Sequence, residues 1–312
     1  MTTVPHVSVL VPAFNGASFV GEALASLADQ TFGDFEAIVV DDGSTDTTAA
    51  IVAESASRDR RFHLIRQANG GTQSARNAAL AASRGAWIAL LDQDDVWLPT
   101  KLEAQLALAA ADPSVNLLFT NYEVWDGTRR IETRYERMDK VPRGDVAVRL
   151  AWSCLFQAST VMVPREAAVA AGGFDPELRN TGDWDLWLRI AERGIDAVGT
   201  FEPLVLYRVW GGNESGDHVR TASERVRMLD KALARKQPAR LRAACVRSLR
   251  NARAQLELAA AARRLDDAPF VRASLRRALA AEPTPKRALE WLATTLPPTA
   301  AIIRIKLSRK FR

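Results

Sequence analysis

Three carboxylates occupy four positions in the segment IALLDQDDVW (88–97), where Asp92, Asp94 and Asp95 follow a run of apolar residues. Like charges this close repel and resist desolvation, so the cluster gains nothing by itself. Asp92 and Asp94, two residues apart, project to the same side of an extended chain. Hard oxygen ligands at that spacing suit Mg2+ or Mn2+, ions held by one or two carboxylates together with substrate phosphates. A divalent cation would remove the repulsion. The competing role is structural: a solvated turn, with Asp95 capping the helical stretch LPTKLEAQLALAA.

Other polar groups sit in comparable places. Asp41 and Asp42 end FEAIVVDDGS (35–44), and Pro12-Ala13-Phe14-Asn15 ends the apolar run VSVLVPAF (7–14). Asp41 or Asp42 can accept from a nucleobase N–H or from ribose hydroxyls, although Asp42-Gly43 also suits a plain turn. Residues 12–15 would present backbone groups to the same nucleoside. Arg76 and Asn77, near a helix start, either face a nucleotide or, for the arginine, form a surface ion pair.

The elements that must position these groups alternate. Strand-like runs at 7–14, 35–44, 62–67 and 86–92 are separated by helical spacing at 16–30, 47–59 and 74–84. The order β-α-β-α-β-α-β implies an α/β fold, with a mostly parallel central sheet covered by helices on both faces. Ligands in such sheets bind beyond the carboxyl ends of the strands, where PAFNG, DDGSTD and DQDD all fall. Further on, residues 121–160 read as less regular, with a charged surface excursion. ASTVMVP (158–164) and EPLVLYRVW (202–210) read as strands, and WDLWLRIAE as an amphipathic helix.

The net charge of +5 hides a division. Residues 1–217 hold 19 Lys and Arg against 30 Asp and Glu, whereas 218–312 hold 23 against 7. An acidic front and a basic back predict two parts, a catalytic domain over 1–217 and a basic α-helical C-terminal extension over 218–312. In the second part Leu241, Cys245, Leu249, Ala252, Leu256 and Ala259 recur at helical spacing. A second helix is expected from Pro269 to Ala281, the pair resembling one tetratricopeptide-like hairpin, and a third over KRALEWLATTL. The tail 299–312 mixes isoleucines and Leu307 with arginines and lysines, which suits contact with an anionic membrane surface.

Several classes are disfavoured. No G-x-G-x-x-G follows the first strand, no G-x-x-x-x-G-K-[ST] occurs, and no nucleophile–His set is spaced for catalysis. The basic region lacks interleaved aromatics, so nucleic acid is not an expected partner. The N-terminus lacks a basic n-region and no unbroken apolar run of about 18 residues occurs. Cys154 and Cys245 form no metal or disulfide pattern. The expected location is therefore cytoplasmic, peripheral at the inner face of the cell membrane if the tail binds lipid.

Taken in order, VPAFN, VVDDGSTDTT, NGGTQSARNAALAASRG and LLDQDDVWLP resemble the nucleotide-binding half of glycosyltransferase family 2, on the GT-A fold. GGFDPELRNTGDWDLWLRIAERG resembles the acceptor-side segment and VLYRVWGGNESGD the closing loop, so the resemblance covers about residues 5–217. It implies an inverting transfer of a sugar from a nucleoside diphosphate donor, most simply a UDP-sugar, to a glycan or lipid-linked acceptor hydroxyl. Cell-surface polysaccharide or glycolipid synthesis is the implied setting. Asp41 becomes the base contact, Asp94 the direct ligand of Mn2+ or Mg2+, and Asp92 the support for ribose and the metal's water shell. Asp183 matches the general base, with its position as a helix N-cap the structural alternative. Two departures stand out: Gly182 replaces the glutamate usual before the base, and Trp210 stands where relatives often carry a histidine. The rival readings are a non-catalytic sugar-nucleotide or glycan-binding module, and a sugar nucleotidyltransferase. The latter would need a basic phosphate loop, and residues 11–21 contain no Lys or Arg.

Overall fold

Every residue of β1 (Val7–Ala13) and β2 (Phe35–Asp41) is buried, as expected of strands covered on both faces. The computed structural model describes residues 4–212, 217–264 and 266–284. Within it β1 pairs in parallel with β2, and β2 with β3 (Phe62–Arg66), so that Ala13 lies opposite Asp41 and Asp41 opposite Arg66. On its other side β1 pairs in parallel with β4 (Trp87–Leu90). Helices α1 (Val20–Ala28), α2 (Thr48–Arg58) and α3 (Thr72–Ala82) make the crossovers. The core here joins Val9, Val11, Leu24, Leu27, Val39 and Val52. These elements follow the sequence expectation closely.

The chain then passes through β5 (Val96–Trp97), α4 (Lys101–Ala111), β6 (Leu117–Trp125) and β7 (Arg130–Thr133). After them come α5 (Ala147–Leu150), β8 (Val161–Pro164), α6 (Arg165–Ala170), α7 (Gly182–Ala191) and β9 (Ala197–Arg208). The sheet order is β3-β2-β1-β4-β8-β6-β9-β5, with β7 on β6. β8 runs antiparallel to β4 and β6, while β6 and β9 are parallel. The stretch 121–160, expected to be less regular, opens on the last five residues of a nine-residue strand, β6, whose register slips against β9 between Thr120 and Tyr122. β9 also pairs antiparallel with β5, Val96 opposite Leu206, and this carries Arg208 toward the DQDD loop.

α7 has the expected apolar and charged faces but is enclosed on nearly every side: eight of its ten residues are buried, including Trp184, Leu186, Trp187 and Ile190. Its one basic residue, Arg189, pairs with the buried Asp185 at 2.7 Å.

The chain divides into two compact units, Met1–Asn213 and Glu214–Arg312. The second contains α8 (His218–Ala234), α9 (Ala239–Ala262) and α10 (Ala268–Ala281). Asp217 caps α8 and Asp267 caps α10, each accepting a backbone N–H three residues on. α8 falls within the expected α-helical extension, although no separate helix was expected at 218–234. The buried stripe on α9 begins as expected at Leu241, Cys245, Leu249 and Ala252, then shifts to Ala254, Leu258 and Ala261. Ala254 and Leu258 pack with Leu275 and Ala278 of α10, which accounts for the shift away from Leu256 and Ala259. The closing loop 213–216, the expected helix over 286–296 and the tail 299–312 lie outside the described residues. Among the described residues no helix is long and apolar enough to cross a membrane.

Candidate active site

The segment after β4 is a tightly wired turn. Asp95, 1% exposed, accepts from the Ser159 hydroxyl at 2.5 Å and from the Arg208 backbone N–H at 3.0 Å. Burial and the neighbouring charges of Asp94 and Asp92 push its carboxyl well above the usual range. It caps no helix: α4 begins after Thr100, so the expected capping role is replaced by a bond to β9. Ser159 also accepts from the Asp92 N–H at 3.0 Å. Arg208 donates from Nε to the Asp94 carbonyl at 2.8 Å, pairs with Glu22, and lies 4.1 Å over the Trp125 ring.

Between the carboxylates, Gln93 turns back to β1. Its amide accepts from Phe14 N–H at 2.9 Å and donates to Phe14 C=O at 3.1 Å. A Cβ on Gly16 would lie 2.0 Å from Gln93 Oε1, so glycine there makes room for the amide. Asn15, at φ 45°, donates its N–H to Ser44 Oγ and accepts from Thr45 N–H. Ala13 C=O accepts from Asp42 N–H. These backbone groups, expected to face a nucleoside, are thus largely engaged within the protein, because a polar loop over a buried sheet must satisfy its own amides. Pro12 and Ala13 are buried in β1, and what residues 12–15 expose is Phe14, at 44%, and Asn15.

Asp41 and Asp42 divide in role. Asp42 accepts from Gly70 N–H at 2.9 Å, Gly71 N–H at 2.7 Å and the Gln67 amide at 2.6 Å, clamping the turn that leads into α3. Asp41, fully buried at the end of β2, faces Ser44 N–H at 3.3 Å and Arg66 Nε at 3.4 Å.

α3 joins the two halves of the unit. Arg76, 4% exposed, donates to Asp92 Oδ1 at 2.5 Å, an internal ion pair rather than a surface one. Asn77 donates to Phe174 C=O at 2.7 Å and accepts from Phe174 N–H at 2.8 Å, fixing the GGF turn ahead of α7.

Asp183 is the second residue of α7, not its N-cap, which is Thr181. At a helix start the amide dipoles favour a carboxylate. Burial nonetheless raises its pKa, Arg76 pulls it back down, and the Asp92 charge adds to the rise. Asp183 in turn helps raise the Cys154 thiol, second to burial. Asp92 and Asp183 therefore both lie within the field of one buried guanidinium.

The residues fit a divalent cation that keeps part of its own ligand shell. Asp94 is held above the usual carboxylate range by burial and by Asp92, against the lowering effects of the Trp210 hydrogen bond and Arg208. A cation would relieve that repulsion. Among the described residues no group of three or more His, Cys, Asp or Glu forms a closed cage. A site built on Asp94 and Asp92 oxygens is of the open kind that Mg2+ and Mn2+ share with phosphates.

Comparison with known proteins follows this geometry. The fold is that of GT-A enzymes: residues 1–349 of TarS from S. aureus, solved with UDP-GlcNAc, superpose with a TM-score of 0.67 at 19% identity, over 98% of this chain and 89% of that one. The mannosyltransferase PcManGT from Pyrobaculum calidifontis, solved with GDP-Man and Mn2+, gives 0.64 at 24% identity, over 99% and 84%. In sequence, TuaG of Bacillus subtilis, a glycosyltransferase named for teichuronic acid biosynthesis, is 32% identical over 224 residues, covering 70% of this chain and 85% of TuaG. An uncharacterized glycosyltransferase of Rickettsia prowazekii is 31% identical over 192 residues, and this chain spans 58% of its length. The model of glycosyl transferase family 2 matches residues 8–170, and the chain belongs to that family. It is a glycosyltransferase.

Proposed function

We propose that this chain moves a sugar from a nucleoside diphosphate donor, most simply a UDP-sugar, to an acceptor hydroxyl with inversion at the anomeric carbon. The observation that carries the reading is the meeting of Asp92 and Asp183, from separate halves of the unit, around Arg76. Asp41 receives the nucleobase or ribose at the end of β2, beside the exposed Phe14 ring. Asp94 and Asp92 would hold Mg2+ or Mn2+, and the ion's chemistry there would be to neutralise charge on the diphosphate. Asp183 takes the proton of the acceptor hydroxyl as its oxygen bonds to C1. The C1–O bond to phosphate breaks, and its electron pair leaves with the diphosphate. The raised pKa of Asp183 suits a base that must hold a proton, and positioned bases typically contribute ~10²–10⁴ in rate.

The neighbours solved with UDP-GlcNAc and with GDP-Man and Mn2+ support a nucleotide-sugar donor and a metal, and TuaG supports a cell-surface polymer as the setting. In this reading residues 1–217 are the catalytic part, and the basic extension 218–312 serves acceptor or membrane contact. Incubation with a panel of nucleotide sugars, with and without Mn2+, tests the class. Metal-stimulated release of nucleoside diphosphate is the expected result, with NMR of the glycoside product giving the opposite anomeric configuration to the donor. Release of pyrophosphate, or retained configuration, would contradict it.

A further inference from the structure

Gln73, Arg76 and Asn77 share one face of α3, at the i, i+3, i+4 spacing. Arg76 reaches the donor-side carboxylate and Asn77 the GGF turn. Gln73, 3% exposed, is engaged at both ends of its amide. Its Oε1 accepts from Arg76 Nη1 at 3.3 Å, and its Nε2 donates to the Arg179 carbonyl at 3.0 Å, just ahead of α7. The amide is packed against Gly182: a Cβ there would come 2.4 Å from Gln73 Cδ.

Gly182 is not among the glycines held at positive φ, so the backbone does not call for glycine at this position. Glycine weakens a helix relative to alanine, and Gly182 opens α7. Space is the remaining reason. The chain gives up a side chain immediately before Asp183, and the volume goes to an amide from α3. A continuous set of contacts then runs from Asp92 through Arg76 and Gln73 to the Arg179 carbonyl.

We propose that Gln73 is a positioning residue for the reaction: its amide, seated where a side chain at 182 would lie, sets the separation between the Asp92–Arg76 pair and the start of α7 that carries Asp183. This rests on the assignment of Asp183 as the base. A misplacement of about 1 Å at a reacting centre costs about 10²-fold in rate, so a strut of this kind acts on turnover rather than on donor affinity.

The experiment compares Gly182→Ala, Gln73→Ala, the double variant and Gln73→Glu for melting temperature, UDP affinity and kcat, with Asp183→Asn as control. Gly182→Ala is expected to lower both melting temperature and kcat, because the new methyl displaces the amide. Adding Gln73→Ala removes the collision, so the double variant melts no lower than Gln73→Ala alone. Its kcat nevertheless stays at least about tenfold below wild type while UDP affinity is unchanged. Gln73→Glu keeps the size and the Arg76 contact but has no N–H for the Arg179 carbonyl, and it too loses kcat at constant UDP affinity. Recovery of kcat together with melting temperature in the double variant, or wild-type kcat in Gln73→Glu, would make Gln73 mere filler and overturn the proposal. Transfer that persists in Asp183→Asn would instead overturn the base assignment beneath it.

Discussion

The indole N–H of Trp210 donates to Asp94 Oδ2 at 2.9 Å. The ring is set against Phe19, centroids 4.8 Å apart, and against Gly212, where a Cβ would come 2.2 Å from the ring. A tryptophan supplies no metal ligand at this position. It supplies orientation of the carboxylate instead. The hydrogen bond also helps hold Asp94 ionised against the burial and the Asp92 charge that raise its pKa.

Trp210→Phe keeps the stacking on Phe19 and removes only the donor. A hydrogen bond to a charged group contributes about 1.5–3 kcal/mol when sheltered, and Trp210 is 43% exposed, so about 1 kcal/mol is expected. Calorimetry should show UDP binding in Mn2+ weakened by about five- to tenfold, roughly that energy, with metal-free binding unchanged.

Arg76→Met leaves Asp92 beside Asp94 and Asp95 with no counter-charge on its Oδ1 side. Removing one partner of a buried pair costs about 3–5 kcal/mol; Asp92 is partly solvated, its side chain 25% exposed, so about 2–3 kcal/mol is expected in urea unfolding. Arg76→Lys should recover only part, since an ammonium cannot reach Asp92 and Gln73 with one planar fork.

With Asp183 as the proposed base, the pH dependence of kcat should report on its carboxyl. The base works unprotonated and burial raises its pKa, so transfer should fall as pH drops through a value above the ordinary Asp carboxyl of about 3.9. Arg76 opposes that rise, so the acidic limb in Arg76→Met should move to higher pH. A limb that stays put or moves lower would show that Asp183 is not the titrating group. Asp183→Asn is nearly isosteric; it should keep UDP affinity while transfer falls by ~10²–10⁴.

The first seven strands and helices could be read from the sequence because each carries its own local signal: predominantly apolar runs in β1 and β2, helical spacing in α1 to α3. The acidic positions stood out because carboxylates two apart suit a divalent cation, although acidic loops at strand ends are common and only the ordered set of motifs made the signal specific. What escaped was the wiring. Gln93 meets Phe14 across 79 residues and Arg208 meets the Asp94 carbonyl across 114, and neither contact leaves a periodic trace. Ser159, Arg208, Gln73 and Gln93 are ordinary polar residues until the fold brings them together. Glycine offered a usable signal. Gly16 and Gly182 each stand against an amide from another element, and each sits within or beside a motif already singled out. β6 was passed over because its second half, Tyr122 to Trp125, is only half-buried and interleaves Glu123 with apolar residues. α7 misled in the opposite way, since Asp183, Asp185 and Arg189 suggest a wet face, yet Asp185 and Arg189 neutralise each other inside the fold.

In the proposed function Asp94 is the carboxylate that would hold the cation against the donor's diphosphate. Calorimetric titration of wild type and Asp94→Ala with UDP, each with and without Mn2+, tests this most directly. Mn2+ should strengthen UDP binding in wild type and have no effect in Asp94→Ala, because the bridge between carboxylate and phosphates is gone. An unchanged, metal-stimulated affinity in Asp94→Ala would contradict it.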